Sequence, residues 1–131
     1  SVCMTSRVGI RRPMYCTSVG KAILSTLPDS EIERIWDSRE VQVFTPFTIT
    51  KKSVLMEELC RSRQCGYALD NEENELGICC IGTAIPDRKS RPAYAISISL
   101  PVSMAREDRR LSMIEPLLSA KKEISALLGT L

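Results

Sequence analysis

The chain has 131 residues, 44% hydrophobic and 26% charged, enough to bury one core and ordinary for one domain. With 18 basic and 16 acidic side chains its net charge is +2, so it lacks the electrostatic footprint of a nucleic-acid-binding surface. No histidine occurs, which excludes Ser-His-Asp triads and Cys/His zinc sites, and no apolar run approaches the ~20 residues that span a bilayer.

Residues 2–8 read as the end of a weak strand, as if the chain began inside an element, and Ser1 opens no signal peptide. Residues 9–16, with Arg11, Arg12 and Pro13, form an irregular entry. Thr17 or Ser18 can cap a short helix through Ala22, Ile23 and Leu24. Pro28 sets up a second helix over 29–39 with Ile32, Ile35 and Trp36 as its apolar stripe. Pro46 makes 45–50 a loop or an edge strand. Ser53 is placed to cap a stronger helix, in which Leu55, Met56, Leu59, Cys60 and Arg63 fall at helical spacing, and Gly66 is a good stop.

Three strands follow: 67–70, 77–85 and the stretch "AYAISISL" at 93–100, joined by an acidic turn and by a turn over 87–92. Short turns imply an antiparallel meander. Residues 103–128 read as a helix with Leu111, Ile114, Leu118, Ile124 and Leu127 inward and a kink or restart at Pro116. The fold class is α+β: an antiparallel sheet with helices packed on its faces.

Within the third strand Tyr94, Ile96, Ile98 and Leu100 share one face, and Ala95, Ser97 and Ser99 the other. A hydroxyl face suits water or the floor of a pocket; helices on both sheet faces would keep these serines out of water. The second strand sets Ile78, Cys80, Gly82 and Ala84 on one face against Cys79, Ile81, Thr83 and Ile85, and Asp70 ends the first strand at the lip of the acidic turn. Two hydroxyls, a thiol, a carboxylate and an apolar wall can form a small-molecule site, although small strand residues also serve close helix packing. The six cysteines include no C-x-x-C pair and read as reduced, mostly buried thiols of a cytosolic protein.

The segment "CTSVGK" at 16–21 approaches several catalytic signatures. A phosphate-binding loop would need glycine at Tyr15 and Ser or Thr at Ala22. Ser18-x-x-Lys21 matches an acyl-enzyme motif, but its partner motifs S-D-N and K-T-G are missing. What survives is a helix N-terminus with open N–H groups, favourable for an anion. The acidic run from Asp70 has Glu75 where a calcium loop needs glycine, and reads as a solvated turn whose carboxylates cap backbone groups or pair with nearby Arg or Lys.

Three blocks, "RRPMYCTSVGKAILS", "GYALDNEENELGICCIG" and "AISISLP", together with the spaced "TIT…L…EL" of 48–59, resemble the effector-binding domain of IclR-family bacterial transcriptional regulators. The resemblance spans about residues 9–128. It implies a GAF-like sheet domain, an N-terminal winged helix-turn-helix outside this chain, and residues 1–131 as one N-terminally truncated effector domain. It further implies a small organic acid as effector, homodimers or homotetramers, a cytoplasmic location, operator DNA bound only through the missing domain, and no enzymatic activity, metal, cofactor or membrane. Carried over by position, effector contacts fall on the backbone N–H groups of Ser18, Val19 and Gly20, on Asp70, Ile78 and Cys80, on the paired Ser97 and Ser99, and on Met14 as an apolar wall. Leu100 stands where many members have Gly, Thr83-Ala84 where many have Ala-Pro, and Ser18 where a smaller residue is common, so the effector is not transferable from a relative. Two rival readings are a pure oligomerisation module with a vestigial pocket and an acyl-transfer enzyme using Ser18 and Lys21.

Overall fold

The computed structural model describes residues 7–129. The strand expected over 2–8 therefore lies mostly outside the described residues; Val8, within them, sits in an exposed turn.

Thr17 is the N-cap of α1 (Ser18–Leu24): its hydroxyl accepts the Gly20 N–H at 3.2 Å and donates to the Pro13 carbonyl at 2.7 Å. Pro28 leads into α2 (Asp29–Asp37), whose first turn carries Asp29 and Glu31 where the helix dipole favours them. This helix stops two residues before the expected end, and the Ser38 N–H turns back to the Arg34 and Ile35 carbonyls. In α3 (Lys52–Cys65) Lys51 occupies the cap position without a side-chain cap bond. Ser53 is therefore no cap, because the Leu55 N–H reaches the Lys51 carbonyl at 3.2 Å and starts the helix before it. Gly66 ends α3 in the left-handed conformation (φ 86°) that favours glycine.

These three helices and the connecting loop enclose Leu24, Ile32, Ile49, Leu55 and Leu59, with Met14, Ile35, Trp36 and Met56 packed around them. Burying each such leucine contributes about 1.5–3 kcal/mol. Cys60 lies off this stripe and is exposed, as is Cys65, whereas Cys16 and Cys79 are buried and Cys80 is half-buried among the described cysteines. Arg63 serves the neighbouring helix instead: it donates to the Ser25 and Leu27 carbonyls, left without helical partners after α1. Tyr15 meets Trp36 edge-on at 5.9 Å, and its hydroxyl ties the loop down at Gln42.

The sheet is an antiparallel meander of β1 (Ala68–Asn71), β2 (Ile78–Pro86) and β3 (Pro92–Pro101), in that order. Its register pairs Asp70 with Cys80, Cys80 with Ser99 and Gly82 with Ser97. α1 packs on this face through Ala22 against Ala68 and Ala84. The approach is close: a Cβ on Gly82 would stand 2.7 Å from the Ser18 carbonyl carbon. The opposite face, with buried Ile81 and Ile85, carries α4 (Glu107–Leu128) beyond a short 3-10 turn, Val102–Met104. There Thr83 donates its hydroxyl to the Gly66 carbonyl at 2.7 Å.

The inward stripe of α4 differs from the one expected. Leu117 and Ser125 are buried, Ile114, Leu118 and Ile124 half-buried, and Leu111 and Leu127 exposed. The seam is rotated by about one residue, so the two terminal leucines fall outside it. The helix runs unbroken through Pro116 with no restart; Ser112, whose carbonyl loses its helical partner to the proline, is exposed.

Candidate functional site

The sheet face beneath α1 gathers most of the sequence-predicted site. Antiparallel pairing places Cys80 opposite Ser99, and their Sγ and Oγ atoms stand 3.1 Å apart. Both residues are half-buried. Desolvation pushes the Cys80 thiol pKa up, the Ser99 hydrogen bond pulls it back in part, and the Asp70 charge adds to the rise. Ile78 is buried at the Pro101 end of the same face.

Ser97 lies on this face opposite Gly82 but is exposed. The expectation that both serines are kept from water thus fails for Ser97 and holds in part for Ser99. The reason is position: β3 is one of the two edge strands of the described sheet, and α1 sits over Gly82, the partner of Ser97 on β2. Close helix packing likewise accounts for Gly82, Ala84 and Ala68, which α1 fills.

At the start of α1, Ser18 is buried over Gly82 and Val19 is half-buried. Three open N–H groups were expected here. The Gly20 N–H is already taken by the Thr17 cap, which leaves Ser18 and Val19 as the open donors. Gly20 is required on other grounds, since a Cβ there would stand 2.4 Å from the Met14 Cα. The Met14 side chain packs against the core of α1–α3.

Asp70 is buried at the end of β1. Its Oδ1 accepts the Glu73 N–H at 2.8 Å and the Asn74 N–H at 3.4 Å, so one oxygen caps the turn over 72–77. Burial raises its pKa; the backbone donors and the Lys21 charge oppose the rise.

The carboxylates of that turn cap backbone groups and pair with a lysine as expected, but Glu73 is buried rather than solvated. Glu73 is buried, and the ammonium of Lys21, 1% exposed, reaches its Oε1 and Oε2 at 2.7 and 2.9 Å and Glu58 Oε2 at 2.7 Å. Desolvation raises the Glu73 pKa against the pull of Lys21. The Thr48 hydroxyl donates to the Glu73 carbonyl and the Thr45 hydroxyl to that of Glu72, each at 2.6 Å. Cys16, fully buried beside Asp70 and Glu73, has its thiol pushed up to about 12, chiefly by desolvation. Sequence reasoning missed Lys21, Glu58, Thr45 and Thr48 as members of one buried network. The available signal was a lone lysine between Gly20 and Ala22, in a helix with no other charge.

Two grooves elsewhere on the surface, about 480 Å³ along α4 and about 450 Å³ between α3 and β1, are lined by none of the sequence-predicted site residues. Among the described residues no helix is long and apolar enough to cross a membrane, and no group of three or more His, Cys, Asp or Glu is arranged to hold a metal ion.

The family model described as bacterial transcriptional regulator IclR C-terminal matches residues 1–126. The repressor AllR of Salmonella typhi is 38% identical over 126 residues, covering 96% of this chain and 46% of that protein. The chain spans about half the length of the curated relatives it matches. The crystal structure of Thermotoga maritima IclR superposes with a TM-score of 0.89 at 39% identity, covering 98% of this chain and 52% of that one. The PobR inducer-binding domain from Acinetobacter, a double mutant in complex with 3-hydroxybenzoic acid, superposes with a TM-score of 0.82 at 26% identity, covering 90% of this chain and 68% of that one. The chain belongs to the IclR family of bacterial transcriptional regulators, whose C-terminal domain it matches.

Proposed function

We propose that residues 1–131 form the effector-binding domain of an IclR-type regulator, and that a small organic acid binds between the start of α1 and the Cys80–Ser99 floor. The observation that carries this is that Ser18, at the start of α1, sits over Gly82 on the sheet face that also carries the Cys80–Ser99 pair. Helix N–H groups suit a carboxylate, Ser99 and Ser97 offer hydroxyls, and Asp70, Ile78 and Met14 complete the contacts expected of the family. The PobR complex, in which a related domain holds a hydroxybenzoic acid, supports the same ligand class.

Such an acid clamps α1 to the strands and shifts a population of domain or subunit arrangements. Its leverage equals its differential affinity for the two states, commonly ~1–3 kcal/mol. In this reading operator DNA is bound by a winged helix-turn-helix outside the chain, the protein works in the cytoplasm as a dimer or tetramer, and the domain is no enzyme. An acyl-transfer role for Ser18 is disfavoured because Lys21, the base that motif would use, is held by two carboxylates.

Thermal melting against a panel of 2-oxo, hydroxy and aromatic acids tests the reading. One acid should raise the melting temperature, and Ser97→Ala with Ser99→Ala should abolish the rise. No response across the panel contradicts it. The half-exposed apolar row of Leu111, Ile114 and Leu118 on α4 favours the oligomerisation module as a second reading. That reading predicts self-association, measured by sedimentation, which no acid alters.

A further inference from the structure

We propose that Lys21 is the positioning residue of this site, holding the 72–77 turn and Asp70 in a fixed relation to α1; the proposal rests on the effector reading above. Lys21 belongs to α1, Glu73 to the turn and Glu58 to α3, so a single ammonium joins three elements. Glu73 carries the constraint onward by its own main chain. Its N–H donates to Asp70 Oδ1, while its Oε2 accepts the Asn71 N–H at 3.0 Å. Asp70 is paired across the ladder with Cys80, which meets Ser99. One link thus runs from the last turn of α1 to the floor of the site.

A buried ammonium with two carboxylates is held by pairing, and removing it leaves uncompensated charge. Without Lys21, Glu73 would face Glu58 with Asp70 close by, and the turn would relieve the repulsion by moving toward water. Asp70 would leave with it and the floor would open. The core of α1–α3 and the packing of Ala22 on Ala68 and Ala84 would remain to hold the fold.

The described cysteines supply a test that needs no effector. Cys80 lies on the site floor, Cys79 is buried on the opposite face, and Cys60 is exposed on α3. Alkylation of each thiol by iodoacetamide is followed by mass spectrometry, with Cys60 as the internal reference. Lys21→Met should speed Cys80 roughly tenfold or more while Cys79 stays slow, because local opening and global unfolding expose different thiols. Adding Glu73→Gln removes the stranded charge and should return Cys80 to within about threefold of the parent rate. If Lys21→Met does not fold, Lys21→Gln, which keeps a hydrogen-bond donor but leaves the Glu73 charge unpaired, should still speed Cys80 over Cys79. An unchanged Cys80 rate, Cys79 rising in step with Cys80, or a double variant no slower than Lys21→Met overturns the proposal. A blank acid screen leaves these rates unaffected, and an unchanged Cys80 rate leaves the effector reading standing.

Discussion

Cys80 and Ser99 face each other across β2 and β3 with Sγ and Oγ 3.1 Å apart, in the half-buried floor beneath α1. The hydroxyl stabilises the thiolate relative to the thiol, against desolvation that pushes the thiol up. Ser99→Ala should therefore raise the Cys80 pKa further. The pH dependence of Cys80 alkylation measures it, and a shift to lower pH would show that the bond does not act on the thiol.

Gly82 has no room for a side chain. Its Cβ would meet the Ser18 carbonyl carbon at 2.7 Å and the carbonyl oxygen at 2.8 Å, both backbone atoms that cannot rotate away. Gly82→Ala should cost about 1–3 kcal/mol in urea denaturation, the usual range for overpacking. A cost near zero would mean that α1 moves freely over the sheet, which the close Ala22, Ala68 and Ala84 contact argues against.

Two hydroxyl residues near helix starts should behave differently. Thr17→Ala removes the acceptor of the Gly20 N–H and should destabilise by about 0.5–2 kcal/mol. Ser53→Ala removes no cap, since Ser53 is already inside α3, and should stay within about 0.5 kcal/mol of the parent. Urea denaturation of both variants checks the ranking; equal costs would contradict the assignment of the caps.

The meander was legible because period-two alternation and short turns leave few ways to order three strands. The small residues of β2 were ambiguous for a physical reason: glycine and alanine serve helix approach as well as ligand access, and at Gly82 and Ala84 α1 takes the space. The exposure of Ser97 depends on where α1 sits over the sheet, a tertiary fact that alternation does not carry. The burial of Lys21 and Glu73 was hidden because their contact joins α1 to a turn 52 residues away. In α4 a polar seam residue, Ser125, and exposed leucines at both ends blurred the period that sequence reading relies on.

Asp70 gives a pH dependence with a defined sign. Burial first, against the Glu73 N–H and the Lys21 charge, holds its pKa above the ordinary 3.8. A carboxyl with a raised folded pKa binds its proton more tightly folded than unfolded, so it costs stability as pH rises through that window. Lys21 on α1, Glu73 and Glu75 on the turn, Cys80 on β2 and Cys16 before α1 all share this environment. Asp70→Asn keeps an oxygen for the turn N–H groups and loses the titration. Its stability relative to the parent should therefore increase as pH rises from 3.8, measured by urea denaturation across a pH series; a decrease would contradict the desolvation account.

The central claim is that the start of α1 and the Cys80–Ser99 floor receive one small acid together. Titrating the ¹⁵N-labelled chain with the acid panel and following its amide resonances tests this most directly. The account predicts that a binding acid shifts Ser18 and Val19 together with Cys80 and Ser99, all with one apparent affinity. Binding that shifts only residues along α4 or between α3 and β1, with these four unmoved, would contradict it.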